Sequence, residues 1–482
     1  MPLDADLCYH RLSARDTRFD GQFFVGVTST GVYCRPICPV RLPRRDRCRF
    51  FSNAAAAERE GFRPCLRCRP ELAPGQAPVD AVSRIAARAV ARIEAGALNE
   101  AGLEALAAEL QIGERQLRRA IEREYGVAPV ELAQTQRLLM AKRLLTDTRI
   151  KVADVAFASG FSSLRRFNHL FRTRYGFSPT ALRRRAAPQP DGETVTLKLA
   201  YRPPLDWDAL LAFLVGRGAA GVEEADGGCY LRAVRIGGHA GWITAQPAAG
   251  EAALRVEVAI ALLPVLTPLL ARLRRLFDLD ANPQAIAEHL SRDPRLRGSL
   301  ESRPGLRVPG SFDGFELALR AVLGQQVSVK AATTLFGRFC RAYGEALDTP
   351  HPLLTHSGPQ AERIAAATLD EIAALGLPGR RAATVQGLAR AVSERRLRLE
   401  PGPDPAAVVA GLQELPGIGD WTAQYVAMRA LRDPDAFPAS DLGIYRSLNV
   451  SKPRDALAAA EAWRPWRAYA TMHLWQGYGA GG

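Results

Sequence analysis

Four of the eight cysteines have a spacing that suits a metal ion. Cys34 and Cys38 are separated by three residues, and Cys65 and Cys68 form a second pair separated by two. In a reducing compartment such pairs typically bind zinc as thiolates and do not form disulfides. On spacing alone, a purely structural zinc ion is favoured over one that activates a sulfur. The remaining cysteines are predicted to be packing residues: Cys8, Cys48, Cys229 and Cys340.

A glycine-containing turn is the second feature with chemical potential. Leu415 is followed by Pro-Gly-Ile-Gly, in which Gly417 and Gly419 lack a Cβ. Main-chain N–H groups at the start of the next helix can therefore approach a phosphate closely. Such a contact fixes position on nucleic acid without reading its sequence. The pentapeptide alone is equally typical of an ordinary connection between two helices.

The positive charge of the chain is concentrated near its N-terminus. Residues 1–187 contain 32 Lys and Arg against 19 Asp and Glu, whereas residues 188–482 contain 32 against 31. A polyanion should therefore bind mainly to the first two-fifths, because charge that served only solubility would not be concentrated. The longest apolar run, residues 258–271, contains two prolines and is too short to span a bilayer. With no signal-peptide pattern, we expect a soluble cytoplasmic protein without a membrane partner.

Residues 1–72 are predicted to form a small zinc domain. Cys34 lies in Tyr-Cys-Arg-Pro-Ile-Cys, and the second pair lies in Gly-Phe-Arg-Pro-Cys-Leu-Arg-Cys. These motifs resemble the N-terminal domain of Ada-type alkylation sensors. The resemblance implies one Zn²⁺ bound by the four cysteines, and it implies that Cys34 accepts a methyl group from a DNA methylphosphotriester in a single turnover. Zinc keeps the sulfur in the reactive thiolate form. Nearby arginines would bind the flanking phosphates: Arg35, Arg63 and Arg67.

Residues 79–186 show helical periodicity and a repeated plan. Turns at residues 111–113 and 159–161 each precede a basic helix, which predicts two helix-turn-helix units joined by the long segment 129–146. Gly-Phe-Ser-Ser after residue 159 and the closing Tyr-Gly-Phe-Ser-Pro resemble AraC-type DNA-binding domains. Arg165 and Arg166 are candidates for groove contacts. A plain helical bundle with a basic surface is the alternative. Linkers are predicted at residues 70–78 and 183–193.

The rest of the chain resembles AlkA-type glycosylases of the helix-hairpin-helix superfamily. The segment from Tyr201 to Trp207 is similar to the start of their α+β N-terminal subdomain, and strands are expected at residues 194–200, 229–236 and 254–260. In that family the hairpin, here residues 415–419, precedes a catalytic aspartate, here Asp441. A preorganised carboxylate stabilises the positive charge that develops on the sugar when an N-glycosidic bond breaks. Relatives that also cut the strand carry a lysine where this chain has Trp421, so the resemblance implies a monofunctional enzyme.

The same resemblance implies an aromatic pocket for an extruded base. Electron-rich ring faces favour a cationic base over a neutral one. Gln326 occupies the position that enters the gap left by the flipped nucleotide, where the best-known relatives have an aliphatic residue. The implied pocket residues are Phe213, Trp421, Tyr425 and Trp475.

The sequence thus predicts a multidomain protein that is mainly α with α+β parts. The predicted domains are a small four-cysteine zinc domain at 1–72, a double helix-turn-helix domain at 79–186, an α+β glycosylase N-terminal subdomain at 194–303 and an all-α helix-hairpin-helix glycosylase domain at 309–482. The implied function is a DNA-3-methyladenine glycosylase for alkylated purines, fused to a methylation-sensing transcriptional activator. Expected partners are double-stranded DNA, both damaged and operator, and RNA polymerase. Two alternatives are a regulator of the alkylation response whose glycosylase half binds damage without excision, and a DNA-binding protein in which Cys34 is inert.

Overall fold

The computed structural model describes residues 3–75, 84–185, 193–402 and 404–479. The chain divides into two compact units. The first comprises Met1–Arg202, Pro247–Ala271 and Leu279–Ala281, and the second comprises Pro203–Gln246, Arg272–Asp278 and Asn282–Gly482. Parts of both predicted linkers lie outside the described residues, and the four domain bounds stay predictions.

A four-stranded sheet organises the cysteine-rich part of the first unit. The sheet has the order β3-β1-β2-β4, with β1 antiparallel to both β2 and β3 and with β4 parallel to β2. Because β2 ends at Cys34 and β4 leads directly into Cys65, this parallel pair brings the two cysteine pairs together. The Cys65 N–H donates to the Tyr33 carbonyl at 3.0 Å. The elements are α1 (Ala5–Ser13), β1 (Phe24–Val27), β2 (Val32–Cys34), β3 (Cys48–Phe51), α2 (Ala54–Arg59) and β4 (Arg63–Pro64).

The next part of the first unit is helical and contains the predicted duplicated plan. The helices are α3 (Arg84–Glu94), α4 (Ala97–Glu100), α5 (Leu103–Glu109), α6 (Glu114–Tyr125), α7 (Pro129–Asp147), α8 (Val152–Ala158), α9 (Leu164–Tyr175) and α10 (Pro179–Arg185). The pairs α5–α6 and α8–α9 are the two helix-turn-helix units, and α7 joins them. On α9, Phe167 and Phe171 are fully buried and their rings pack 5.6 Å apart. These side chains fix which surface of α9 remains exposed.

Two antiparallel strands belong to the first unit, and three antiparallel strands belong to the second. In the first unit β5 (Thr194–Ala200) pairs with β9 (Ala253–Ala259). In the second unit, β7 (Cys229–Ile236) pairs with both β6 (Glu223–Asp226) and β8 (His239–Pro247). A helix, α11 (Trp207–Val215), precedes this sheet. The strands at residues 194–200 and 229–236 confirm the sequence prediction, whereas β6 and β8 were not predicted.

From Arg272, within α12, the part of the chain that belongs to the second unit is helical. Its core is formed around α15, which is buried along nearly its whole length and packs against α19 and α21. Among the described helices none is long and apolar enough to cross a membrane. The helices are α12 (Leu266–Leu276), α13 (Pro283–Leu290), α14 (Pro294–Ser302), α15 (Gly314–Leu323), α16 (Val329–Tyr343), α17 (Ala361–Ala366), α18 (Leu369–Ala374), α19 (Gly379–Ser393), α20 (Pro405–Gln413), α21 (Asp420–Arg429), α22 (Leu442–Leu448), α23 (Pro453–Ala460) and α24 (Arg467–Gly479).

Candidate functional sites

The four predicted cysteines converge in the first unit. Their Sγ atoms lie within 4.8 Å of one another, and all four residues are buried. A tetrahedral zinc ion with Zn–S bonds of about 2.3 Å separates its sulfurs by roughly 3.8 Å, so the cluster suits one Zn²⁺. Backbone N–H groups of Arg35 and Arg67 donate to the sulfurs of Cys68 and Cys65, each at 3.3 Å. Such donors stabilise thiolates.

The four sulfurs are not equivalent. Sulfurs this close cannot all carry a charge without a cation. In their hydrogen bonds the Cys34 thiol is the donor, which raises its pKa, and the Cys65 sulfur is the acceptor, which lowers its pKa. A cavity of about 200 Å³ reaches the cluster and is lined by Cys34 and Cys38, together with apolar residues such as Leu12 and Val40. Cys65 and Cys68 are not among the residues that line it. Access to the cluster therefore favours the first cysteine pair.

The predicted phosphate-binding arginines differ in their environment. Arg63 and Arg67 are exposed. The Arg35 side chain is only 11% exposed, and its Nε donates to Asp20 Oδ1 at 2.8 Å while Nη1 donates to the Cys68 carbonyl at 3.2 Å. The structure therefore places Arg35 against the cysteine cluster, with its guanidinium bound to Asp20, and its contact with a phosphate stays a prediction. Its buried partner Asp20 had no motif that could identify it.

Buried polar groups connect the zinc region to α7. The Glu58 carboxylate accepts hydrogen bonds from the Tyr33 hydroxyl at 3.1 Å and from the Thr135 hydroxyl at 3.0 Å. Tyr33 directly precedes Cys34, and Thr135 lies on α7. Lys142, also on α7, forms a buried ion pair with Glu71 at 2.5 Å. The zinc region thus contacts the helix that joins the two helix-turn-helix units.

Basic side chains remain exposed on the second helix-turn-helix unit. Arg165 and Arg166 lie in the first turn of α9 and are both exposed. The Ser163 hydroxyl accepts a hydrogen bond from the Arg166 N–H at 3.3 Å and caps the helix. This end of α9 is the part that a recognition helix presents to base edges.

In the second unit, predicted aromatic residues and Asp441 line one cavity of about 460 Å³. The Asp441 carboxylate accepts hydrogen bonds from the indole N–H groups of Trp421 and Trp475, both at 2.9 Å. The same carboxylate caps α22 by accepting the Ile444 N–H at 3.0 Å. The Trp421 and Tyr425 rings are stacked with centroids 5.1 Å apart. The carboxylate is therefore fixed by three donors at the wall of an aromatic cavity.

The hairpin, residues 415–419, comes directly before α21, whose residues Trp421 and Tyr425 line this cavity. It leaves the N–H groups at the start of α21 uncovered. Gly417 has φ of 89°, and a Cβ there would lie 2.4 Å from the Thr384 hydroxyl oxygen. Gly419 caps α21 without a side chain and has open space beside it. Leu415 is half-buried and packs against the core of the unit. The first N–H groups of α21 are therefore free of side-chain cover at the protein surface, which suits a phosphate.

Four family models match successive parts of the chain. They are the metal binding domain of Ada at residues 7–71, a helix-turn-helix domain at 106–185, the AlkA N-terminal domain at 196–313, and the HhH-GPD superfamily of base excision DNA repair proteins at 319–466. A Mycobacterium tuberculosis protein named "Probable bifunctional transcriptional activator/DNA repair enzyme AlkA" is 42% identical over 98% of this chain and 96% of its own length. The chain belongs to this family of AlkA-type bifunctional activator and repair proteins.

Two further proteins resemble the second half of this AlkA-type chain. An Escherichia coli protein, DNA-3-methyladenine glycosylase 2, is 38% identical over 58% of this chain and 95% of its own length. The structure of a 3-methyladenine DNA glycosylase from Archaeoglobus fulgidus aligns with a TM-score of 0.50 and 20% identity over 58% of this chain and 98% of its own, a likeness of fold. The predicted resemblance is confirmed: the chain contains a DNA glycosylase of the HhH-GPD family, and double-stranded DNA is its partner.

At three residues the lining of the cavity differs from the set of pocket residues that the sequence predicted. Phe213 is buried, and its ring is nearly parallel to that of Trp475 at 6.4 Å, but it is not among the residues that line the cavity. Arg217 and Arg429 do line it and were not predicted. Arginine is too common in this chain for a pattern to single out these two. The one local signal was that Arg217 follows Phe213 by one helical turn.

Gln326 lies at an exposed tip between α15 and α16, in a left-handed conformation with φ of 57°. Val327 and Val329 beside it are 38% and 51% exposed and line the cavity. The predicted insertion residue thus stands among apolar side chains at the mouth of the cavity.

Proposed function

We propose that the second unit excises alkylated purines of the 3-methyladenine type from double-stranded DNA as a monofunctional glycosylase. The observation that supports this most directly is the Asp441 carboxylate, fixed by two indole N–H groups in an aromatic cavity. A base extruded from the duplex would occupy that cavity with its sugar beside Asp441. Gln326 would fill the gap that the nucleotide leaves.

Excision follows from the charges of the reacting groups. As the bond between C1′ and the base nitrogen breaks, its electron pair moves to the base and positive charge develops on the sugar. Asp441 stabilises that charge and orients water, which adds to C1′ and releases a proton. No lysine is found among the described residues that line the cavity, so no amine is placed to form a Schiff base. The product is an abasic site in an uncut strand.

We further propose that Cys34 accepts a methyl group from a DNA methylphosphotriester. Bound zinc would hold the four cysteines as thiolates at neutral pH. The Cys34 sulfur forms a bond to the methyl carbon as the bond between that carbon and the phosphate oxygen breaks, and a phosphodiester anion leaves. The cavity beside Cys34 and the exposed Arg63 and Arg67 support this assignment. The product is a thioether, so the reaction occurs once per molecule.

Methylation of Cys34 would then be the signal of DNA damage to which the helix-turn-helix units respond. In this proposal the methylated protein binds an operator through Arg165 and Arg166 and recruits RNA polymerase in the cytoplasm. The contacts of Glu58 and Lys142 support it, since they join the zinc region to α7.

One experiment separates the glycosylase from a regulator that only binds damage. Duplex DNA treated with a methylating agent is incubated with the full chain, and released bases are identified by mass spectrometry. Release of 3-methyladenine supports the proposal. Binding of the same DNA without release of any base would instead establish the regulator.

The methyl acceptor is tested by a matched pair of variants, because Cys34 and Cys38 line the same cavity. After incubation with DNA that carries methylphosphotriesters, Cys38→Ser is expected to release zinc, and Cys34→Ser is expected to take up no methyl group on sulfur. Peptide mapping of the wild-type chain should place the methyl group on Cys34. Methylation of Cys38 in the wild-type chain would assign the nucleophile to the other residue.

A further inference from the structure

Charge is distributed unevenly around the cavity of the second unit. Arg232 and Arg320, which line it, form ion pairs with Glu223 and Glu316, so their charges are balanced. Two more arginines line the cavity and have no carboxylate partner in the part of the chain that the structure describes: Arg217 and Arg429. Two further acidic residues line the cavity: Asp313, which pairs with Arg272, and Asp441, whose carboxylate accepts hydrogen bonds from the two indoles. The positive charges of Arg217 and Arg429 are therefore not paired directly with a carboxylate among the described residues.

Arg217 is held at the cavity by an aromatic ring. Its guanidinium carbon lies 3.9 Å from the centroid of the Phe213 ring, so it is stacked on that ring. The residue lines the cavity, whereas Phe213 does not. Arg429 also lies over the Phe213 ring, at 4.9 Å, but its guanidinium donates to the carbonyls of Pro309 and Gly310 at 2.8 and 3.0 Å and braces that loop.

The pKa of Tyr425 reflects the positive charge of these two arginines at the cavity wall. Burial alone would raise the pKa of Tyr425, but Arg429 and Arg217 outweigh burial and lower it. Burial also lowers the pKa of Arg217 itself, yet a guanidinium remains protonated at neutral pH. The aromatic wall thus experiences a positive field, which a purely aromatic pocket would lack.

We propose that Arg217 is a specificity-determining residue for excision and acts on the charge of the extruded base. The proposal rests on the glycosylase function proposed above. When the bond from C1′ to the base breaks, the electron pair moves onto the base. A cationic base such as 7-methylguanine becomes neutral, and a neutral base such as hypoxanthine becomes an anion that later takes a proton from water. Arg217 keeps its proton throughout.

The charge of Arg217 affects the two kinds of base at different stages. A cationic base is repelled while bound, and the repulsion disappears as the bond breaks, so Arg217 weakens binding and accelerates cleavage. A neutral base is bound without repulsion, and its developing negative charge is stabilised, so only cleavage is affected. Two unit charges about 7 Å apart at an effective dielectric of ~20 interact strongly enough for a ~50-fold effect before screening, so an effect of roughly tenfold is expected once solvent and counterions screen the charges.

The test uses single-turnover kinetics on duplexes of one sequence that contain either 7-methylguanine or hypoxanthine. For Arg217→Gln with 7-methylguanine, we expect the half-saturating DNA concentration and the cleavage rate constant both to fall about tenfold. With hypoxanthine we expect only the rate constant to fall, again about tenfold. The preference for the cationic base, as the ratio of second-order rate constants, therefore rises about tenfold.

Two further variants make the result decisive. Arg217→Lys keeps the charge and should retain the wild-type preference, and Arg341→Gln removes an exposed positive charge outside the cavity and should change nothing. An equal loss on both substrates, with no change in half-saturation for 7-methylguanine, would overturn the inference and leave Arg217 as a packing residue. Arg217→Met supplies a second neutral variant if the glutamine variant does not fold. A wild-type chain that releases 3-methyladenine from methylated duplex but excises neither of these two bases would overturn this inference alone, whereas a chain that releases none of the three would refute the proposed glycosylase function.

Discussion

Asp441 is held in place before any substrate arrives, because two indole N–H groups and the N-terminus of α22 all donate to its carboxylate. A carboxylate fixed in this way needs no reorganisation when positive charge develops on the sugar. Asp441→Asn keeps the shape but removes the charge. We expect excision to slow by at least ~10²-fold, with little change in DNA affinity.

The measurement is single-turnover release of base from methylated duplex, with DNA binding determined separately. Asp455→Asn is the control, since Asp455 is an exposed acidic residue on α23. Near-normal excision by Asp441→Asn would remove Asp441 from the reaction.

At the scale of residues, a motif could indicate which side chains lie together, while their roles stay predictions. The structure brings Trp421, Tyr425, Trp475 and Asp441 around one cavity, as the family resemblance implied. Arg429 could not be found in this way, because its partners Pro309 and Gly310 lie about 120 residues away in the chain. Such a contact exists only after the fold has formed, and no local pattern encodes it.

At the scale of elements, the same limit applies to strands and helix contacts. The strand at residues 229–236 was predicted from its apolar residues, but β8 contains His239, Gly241 and Gln246 and lacks such a pattern. Its pairing with β7 makes it a strand. Both helix-turn-helix units were predicted because each repeats a turn followed by a basic helix. Their contact with the zinc region was not predicted.

Glu58 on α2 lies in the contact between the zinc region and α7 and should make the stability of this contact depend on pH. Burial raises the pKa of Glu58 to about 7, although Arg174 and the hydroxyls of Thr135 and Tyr33 partly offset it. A carboxyl whose pKa is raised by folding contributes stability below its unfolded pKa, and this contribution is lost as the pH rises through the folded pKa. The window is therefore from pH ~4.5 to about 7, and the shift corresponds to roughly 3 kcal/mol.

We expect Glu58→Gln to flatten this part of the pH dependence. Between pH ~5.5 and ~7.5, the stability difference between wild type and variant should change by roughly 2 kcal/mol. Hydrogen exchange of the α2 and α7 amides, compared at each pH, measures the opening free energy of this region. Glu60→Gln, which removes an exposed carboxylate beside the same helix, should show no such change. A constant difference across the range would mean that Glu58 is ionised in the folded state throughout.

At the scale of the whole molecule, the distribution of charge suggests that general attraction to DNA and engagement of a damaged nucleotide belong to different parts of the chain. The excess of Lys and Arg lies in residues 1–187, whereas residues 188–482 are nearly neutral. Sequence-independent attraction to DNA should therefore come mainly from the zinc and helix-turn-helix parts of the first unit. The second unit has to rely on the hairpin main chain and on its cavity to engage a damaged nucleotide. Because of this division, we expect damage to control transcription by changing the affinity of the first unit for DNA.

The charge of the zinc cluster is the variable that methylation changes. Four thiolates around Zn²⁺ give a formal charge of −2, and conversion of Cys34 to a thioether reduces it to −1. Phosphates near Arg63 and Arg67, which are exposed, would then be repelled less. Charges a few ångströms apart near a surface interact by several kcal/mol before screening, and a net gain of ~1–3 kcal/mol means roughly 5- to 150-fold tighter binding.

We therefore expect methylation of Cys34 to raise operator affinity, and we expect the gain to shrink as salt is added. An operator fragment is first selected from random-sequence DNA by the methylated protein. Methylated and unmethylated chains are then titrated with it at two ionic strengths, and Cys34→Ser, which has no sulfur at this position to methylate, serves as the control. Equal affinities at low salt would leave Cys34 with a repair role and no part in signalling. A gain that did not depend on salt would point to a change of shape transmitted through Glu58 and α7, because screening acts on the charge of the cluster and not on packing.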